Sequence, residues 1–153
     1  MTLTEEWSAE LGVCPGLDVL VTSVASDSHT WNLVYLQLAL EELGHRVYNL
    51  GACVPDDLLV AQCRLRRPDL VVVSSLNGHG RHDGLRVIEK LRACQELAAT
   101  AVVIGGKLGI RGPGRPAHTA LLRAAGYDEV FGDGAGIGSL AAFMRRLVAE
   151  VRP

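Results

Sequence analysis

The sequence predicts an α/β fold: one doubly wound, flavodoxin-like or Rossmann-like parallel sheet of five strands in the order 2-1-3-4-5. Three observations lead there. Short apolar runs alternate with amphipathic segments five times along the chain. Each connection is short, which favours parallel strands joined by right-handed crossovers. A composition that is 48% hydrophobic but only 5% aromatic suits strands covered on both faces. At 153 residues the chain is long enough to bury a substantial core as one domain. That domain is assigned to residues 16–153, with residues 1–15 as an N-terminal extension.

The first strand is Leu17–Val24, an apolar run of the kind buried on both faces. Trp31–Leu43 follows as a helix, because Leu33, Leu36, Leu40 and Leu43 recur at three- and four-residue steps and make a core-facing stripe. Gly44 ends it, just past the cap. Arg46–Asn49 is the second strand. The next helix, Pro55–Leu65, opens on Pro55, Asp56 and Asp57. Proline lacks the N–H that a first turn leaves unpaired, and carboxylates suit the positive end of the helix dipole. Pro68 closes that segment. Leu70–Ser75, Ala101–Gly105 and Glu129–Phe131 supply the remaining strands, and Gly84–Leu97, Ala117–Ala125 and Ile137–Val151 the remaining helices.

Charge and composition exclude several classes. A formal charge of −2 provides no field to hold nucleic acid. Arg64, Arg66, Arg67, Arg86, Arg92, Arg145 and Arg146 lie on predicted helices without interleaved aromatics and read as solvated. No apolar stretch approaches the roughly 18 residues of a membrane span. The acidic start, Met1 to Glu10, lacks the positive n-region of a secretory signal. Cys14, Cys53, Cys63 and Cys94 show no C-x-x-C spacing and read as reduced thiols of a cytoplasmic protein.

In a 2-1-3-4-5 sheet the order reverses between strands one and three, and ligands bind at that switch point beyond the carboxyl ends of the strands. Three loops converge there. The first is Ser26-Asp27-Ser28-His29-Thr30-Trp31-Asn32, the second runs from Ser74 to Gly80, and the third runs from Gly105 to Gly114. In the first, a carboxylate two residues before an imidazole is placed to hold one ring nitrogen and leave the other for a metal. His79 and His82 with His29 raise zinc as an alternative, but the close Cys or carboxylate partners of a closed zinc site are missing. Gly105-Gly106-x-x-Gly lacks both the dinucleotide fingerprint and the Walker Lys-Ser/Thr pair. Asp83 and Asp133 read as surface carboxylates.

Asp27-x-His29, Ser74-x-Leu76 and Gly105-Gly106 together resemble the signature of the cobalamin-binding domain family: Asp-x-His-x-x-Gly, then Ser-x-Leu, then Gly-Gly, at matching intervals. The resemblance runs from about Leu17 to Val151. The free-standing length and Val-Ser-Ser-Leu-x-Gly-x-Gly at residues 73–80 are similar to the small (sigma) subunits of glutamate mutases, also called methylaspartate mutases.

The resemblance implies adenosylcobalamin as cofactor, with His29 as lower axial ligand to cobalt in place of the cofactor's own dimethylbenzimidazole. Asp27 then accepts a hydrogen bond from the other ring nitrogen. The displaced nucleotide tail needs a slot, where Gly105 and Gly106 let a flat base lie against backbone. Ser74 bonds the base nitrogen released from cobalt, and Leu76 packs on the tail. Ser26, Ser28, Thr30, Trp31, Asn77, Gly78 and Lys107 complete the implied contacts. Trp31 packs either on the corrin edge or in a core or subunit contact, and Lys107 either approaches the nucleotide phosphate or is solvated. Asn32 departs from the family Gly. Its side chain either crowds the corrin and nucleotide loop or satisfies the helix start, which Asn tolerates.

The implied activity is that of the cofactor-binding subunit of an isomerase that converts L-glutamate to 3-methylaspartate. Such a subunit is inactive without a larger, barrel-type catalytic partner. The alternatives are a stand-alone cobalamin carrier or sensor and a corrinoid protein for methyl transfer, for whose helical cap residues 1–15 are too few. A receiver-like signalling domain needs a phosphoacceptor Asp after its third strand, where this chain has Ser74-Ser75.

Overall fold

Runs rich in Val, Leu and Ile form the strands, as expected of β-branched and aliphatic side chains packed on a pleated surface. The computed structural model describes residues 16–75, 80–106, 116–132 and 136–151. Their order is β1 (Asp18–Ser23), α1 (Thr30–Glu42), β2 (Arg46–Asn49), α2 (Asp56–Arg66), β3 (Leu70–Ser75) and α3 (Gly80–Arg92). A 3₁₀ turn (Gln95–Leu97), β4 (Ala101–Gly106), α4 (Pro116–Ala125), β5 (Glu129–Phe131) and α5 (Ile137–Val151) follow. The sheet is wholly parallel, in the order β2-β1-β3-β4-β5. Residues 1–15, the expected extension, lie outside the described residues.

The sheet buries a core on each face. On one, Leu33 and Leu40 of α1 and Leu140, Met144, Leu147 and Val148 of α5 pack on Val19, Val21, Leu70, Val72 and Val103. On the other, Leu59 and Cys63 of α2, Val87, Ile88 and Leu91 of α3 and Leu122 of α4 pack on Leu20, Val71, Val73, Val102 and Ile104. Each fully buried aliphatic side chain stabilises by about 1.5–3 kcal/mol. None of the described helices is long and apolar enough to cross a membrane.

Several boundaries differ by a residue or more from the sequence reading, and two helices show why. Leu43 is the C-cap of α1, not part of its buried stripe, and is 43% exposed. Gly44, at φ +98°, turns the chain there as expected. The third helix starts at Gly80 and stops at Arg92, short of the expected Leu97. Its last side chain accounts for the stop: the Arg92 guanidinium donates to the carbonyls of Leu97, Thr100 and Gly126, drawing the following turn back against the helix end.

Register positions the site. Ser23 pairs with Ser74, Ser74 with Gly105, and Gly105 with Phe131. These four residues form one row across the carboxyl edge of the sheet, with the starts of α1 and α5 on the same side.

Candidate functional site

The loop after β1 is held on several sides. Asp27 N–H donates to the Val24 carbonyl at 3.1 Å, and the Asp27 carbonyl accepts from Cys53 N–H at 2.8 Å. Ser26 Oγ donates to Asp83, whose other oxygen accepts from Arg86 at 3.1 Å. Asp83 is only 8% exposed, so the surface role expected of it is wrong. It is buried because it lies in the first turn of α3, facing the β1 loop across the switch point. Arg86 also donates to Asp56 in the first turn of α2 at 2.5 Å. The starts of α2 and α3 and the β1 loop thus share one charge-paired network.

Within that loop the Asp27 side chain is almost fully buried, while the His29 side chain is 47% exposed. One carboxylate oxygen of Asp27 accepts from His29 N–H at 2.9 Å and lies 2.7 Å from His29 Nδ1. With Nδ1 as the protonated nitrogen facing the carboxylate, Nε2 keeps its lone pair. His29 occupies the N-cap of α1, but its ring makes no cap bond. Ser28 and Thr30 are exposed neighbours, with Thr30 Oγ1 reaching the Ser28 carbonyl at 3.4 Å. Trp31 is 71% exposed.

Beside the loop, between α1, α5 and the sheet, lies a cavity of about 310 Å³. Asn32, Ser74, Gly105 and Gly106 line it, as do Phe131 and Gly132. Of the residues singled out in the sequence, the cavity brings Asn32 together with Ser74, Gly105 and Gly106, while Ser26 to Trp31 do not line it. Leu76, Asn77, Gly78 and Lys107 lie outside the described residues, as do His79 and Asp133. The sequence reading missed the far wall, made by Phe131, Gly132, Ile137 and Leu140. The end of the predicted fifth strand and the start of the last helix already pointed to it.

The two adjacent glycines differ in kind. A Cβ on Gly106, which has φ +107°, would meet the Ser75 carbonyl oxygen at 2.1 Å, so the sheet itself requires glycine there. A Cβ on Gly105 would make ordinary contact with Phe131 at 3.4 Å, and one on Gly132 would meet nothing within 4 Å. Those two positions leave room in the cavity. On the opposite face of β3, the buried Ser75 hydroxyl has no hydrogen-bond partner among the described residues. Asn32 reaches across the cavity wall: its Nδ2 donates to Ser74 Oγ at 2.8 Å.

The family described as B12 binding domain matches residues 17–140, which include all five strands of the sheet. The chain belongs to the B12-binding domain family. A glutamate mutase sigma subunit from Halobacterium salinarum is 31% identical to this B12-binding domain over 113 residues, 74% of each chain. Among solved structures, a cobalamin-binding protein from Desulfitobacterium hafniense superposes with a TM-score of 0.62 at 20% identity, covering 75% of this chain and 52% of that one. A receiver domain of a histidine kinase from Syntrophus aciditrophicus reaches a TM-score of 0.68, also at 20% identity, over 90% and 93% of the two chains. Likeness at that identity establishes a shared fold alone. In this B12-binding domain β3 ends in Ser74-Ser75, without the carboxylate a receiver phosphorylates.

Proposed function

We propose that this chain is the cobalamin-carrying small subunit of an adenosylcobalamin-dependent mutase of the glutamate mutase type, with His29 as the lower axial ligand of cobalt. The Asp27–His29 pair carries the reading. A buried carboxylate on Nδ1 leaves Nε2 as the lone-pair nitrogen of a half-exposed ring, which is the form of imidazole a metal accepts.

The cavity fits the second demand of such a ligand. About 310 Å³ lies at the small end of ligand pockets, which run from about 300 to 1,000 Å³. That volume suits a flat base with its sugar but not a corrin, which His29 would hold outside the cavity. Ser74 offers a hydroxyl on the cavity wall, and Gly105 leaves backbone bare for an aromatic face. The family signature adds Leu76 to the same slot, and Asn77, Gly78 and Lys107, which follow the Ser-x-Leu and Gly-Gly motifs, are proposed beside it.

Adenosylcobalamin supplies an organic radical, and that chemistry belongs to the cofactor. The chain's part is to hold, orient and shield it. His29 is exposed at the sheet edge, so one domain covers a single face of a planar ligand. The other face is assigned to a larger, barrel-type subunit that brings the substrate. Trp31, Tyr35 and Leu38 of α1, exposed by 71%, 52% and 60%, support a protein partner near the site.

The test is an absorbance titration with cobalamin. The wild-type chain is expected to give a histidine-on, base-off spectrum, and His29→Ala to lose it with weakened affinity. An unchanged spectrum in that variant refutes the ligand assignment. Conversion of L-glutamate to 3-methylaspartate is expected only after a larger mutase subunit is added. Its absence with cofactor bound points to another substrate.

A further inference from the structure

Asn32 stands where the cobalamin-binding signature has glycine, and its side chain is not spent on the helix start. Nδ2 donates to Ser74 Oγ at 2.8 Å, both residues line the cavity, and Ser74 is 6% exposed. A hydroxyl has one proton and two lone pairs. With one lone pair taken by the Asn32 amide, the Ser74 proton and one lone pair remain, and the cavity is the open space beside them. Hydrogen bonds in a chain also polarise one another, so a hydroxyl that accepts from an amide is the stronger donor. A ring nitrogen with a free in-plane lone pair is the matching group.

We propose, on the cobalamin reading above, that Asn32 is a positioning residue that orients and polarises the Ser74 hydroxyl as a donor, so that the slot favours corrinoids whose detached base presents a heteroaromatic nitrogen with a free lone pair. The competing role is a mere fastener of α1 to β3. The two differ in a way binding can read, because only the first depends on the ligand's tail.

The experiment titrates the full chain with hydroxocobalamin and with cobinamide, the same corrin without its nucleotide tail, followed by absorbance. Asn32→Asp is nearly isosteric, but its carboxylate takes the Ser74 proton. It is expected to weaken cobalamin binding about tenfold, the scale of one lost hydrogen bond, while cobinamide affinity stays within about twofold. Ser74→Ala is expected to cause a similar selective loss, with Asn32→Asp adding nothing in that background. Asn32→Ala, which brings no charge, is expected to show the same selectivity with a smaller loss should the aspartate variant misfold.

Equal losses for both ligands, no loss for either, or an Asn32→Asp effect that persists with Ser74→Ala overturns the proposal. If the wild-type chain binds neither ligand, the cobalamin reading falls and this role with it. If the wild type shows a His29-dependent cobalamin spectrum and Asn32→Asp matches it in affinity, the role of Asn32 alone falls.

Discussion

Substituting alanine at Gly106 and at Gly105 in turn separates two jobs that adjacent glycines perform. At Gly106 an added Cβ lies 2.1 Å from the Ser75 carbonyl oxygen and 2.7 Å from its carbon, both rigid backbone of the neighbouring strand. The φ of +107° adds a conformational cost of about 1–3 kcal/mol for any residue with a Cβ. Relief of the overlap by strand displacement costs about 1–3 kcal/mol more. Gly106→Ala is therefore expected to destabilise by roughly 3 kcal/mol. With an m-value of about 2 kcal/mol/M, the urea midpoint falls by roughly 1.5 M. At Gly105 the nearest atom to an added Cβ is Phe131 Cβ at 3.4 Å, so Gly105→Ala is expected to stay within about 1 kcal/mol of the parent. Because Gly105 lines the cavity, the same variant is expected to bind cobalamin more weakly. Urea unfolding followed by circular dichroism checks the first pair of values, and cobalamin titration the second. A Gly106→Ala protein within 0.5 kcal/mol (a rough allowance for a surface change) of the parent refutes the close β3–β4 approach. So does a Gly105→Ala protein that loses more stability than Gly106→Ala.

Tyr127, 3% exposed, donates its hydroxyl to the Gly84 carbonyl at 2.8 Å, and burial raises its pKa. Tyr127→Phe is expected to cost about 1 kcal/mol and lower the melting temperature by a few degrees, as read by calorimetry. His45 Nδ1 accepts the Leu17 N–H at 3.0 Å, and burial lowers its pKa below 6.5. The folded chain therefore binds fewer protons there than the unfolded one, so this contribution is complete above pH 6.5 and is lost as the pH falls below that value. Urea midpoints at pH 8 and pH 5 are expected to differ less in His45→Gln than in the parent. Cys63 is fully buried, and burial together with the nearby Cys94 pushes its thiol up to about 12, whereas Cys53 is exposed. A maleimide reagent is expected to label Cys53 in the folded chain and Cys63 only after unfolding, as checked by peptide mass spectrometry.

Strand and helix identity were legible in the sequence because they rest on local periodicity. Leu33 and Leu40 recur at helical spacing and are buried, and the third strand falls on Leu70–Ser75 as expected. Helix ends were less legible. Leu43 continues the stripe in sequence, yet the turn at Gly44 carries it into solvent. Arg92 ends α3 through carbonyls that approach it only in the folded chain. Asp83 read as a surface carboxylate because nothing local announces that Ser26 and Arg86 enclose it.

By itself, the sequence determined the sheet, its strand order and the family, since alternating apolar runs, short crossovers and three spaced motifs are properties of chain order. Tertiary structure alone decided how the motif residues divide their work. Parallel pairing sets Gly106 against the Ser75 backbone while Gly105 faces the cavity, and helix packing brings Asn32 onto Ser74. Those outcomes depend on contacts between residues far apart in the chain, at distances of a few ångströms that no local pattern encodes.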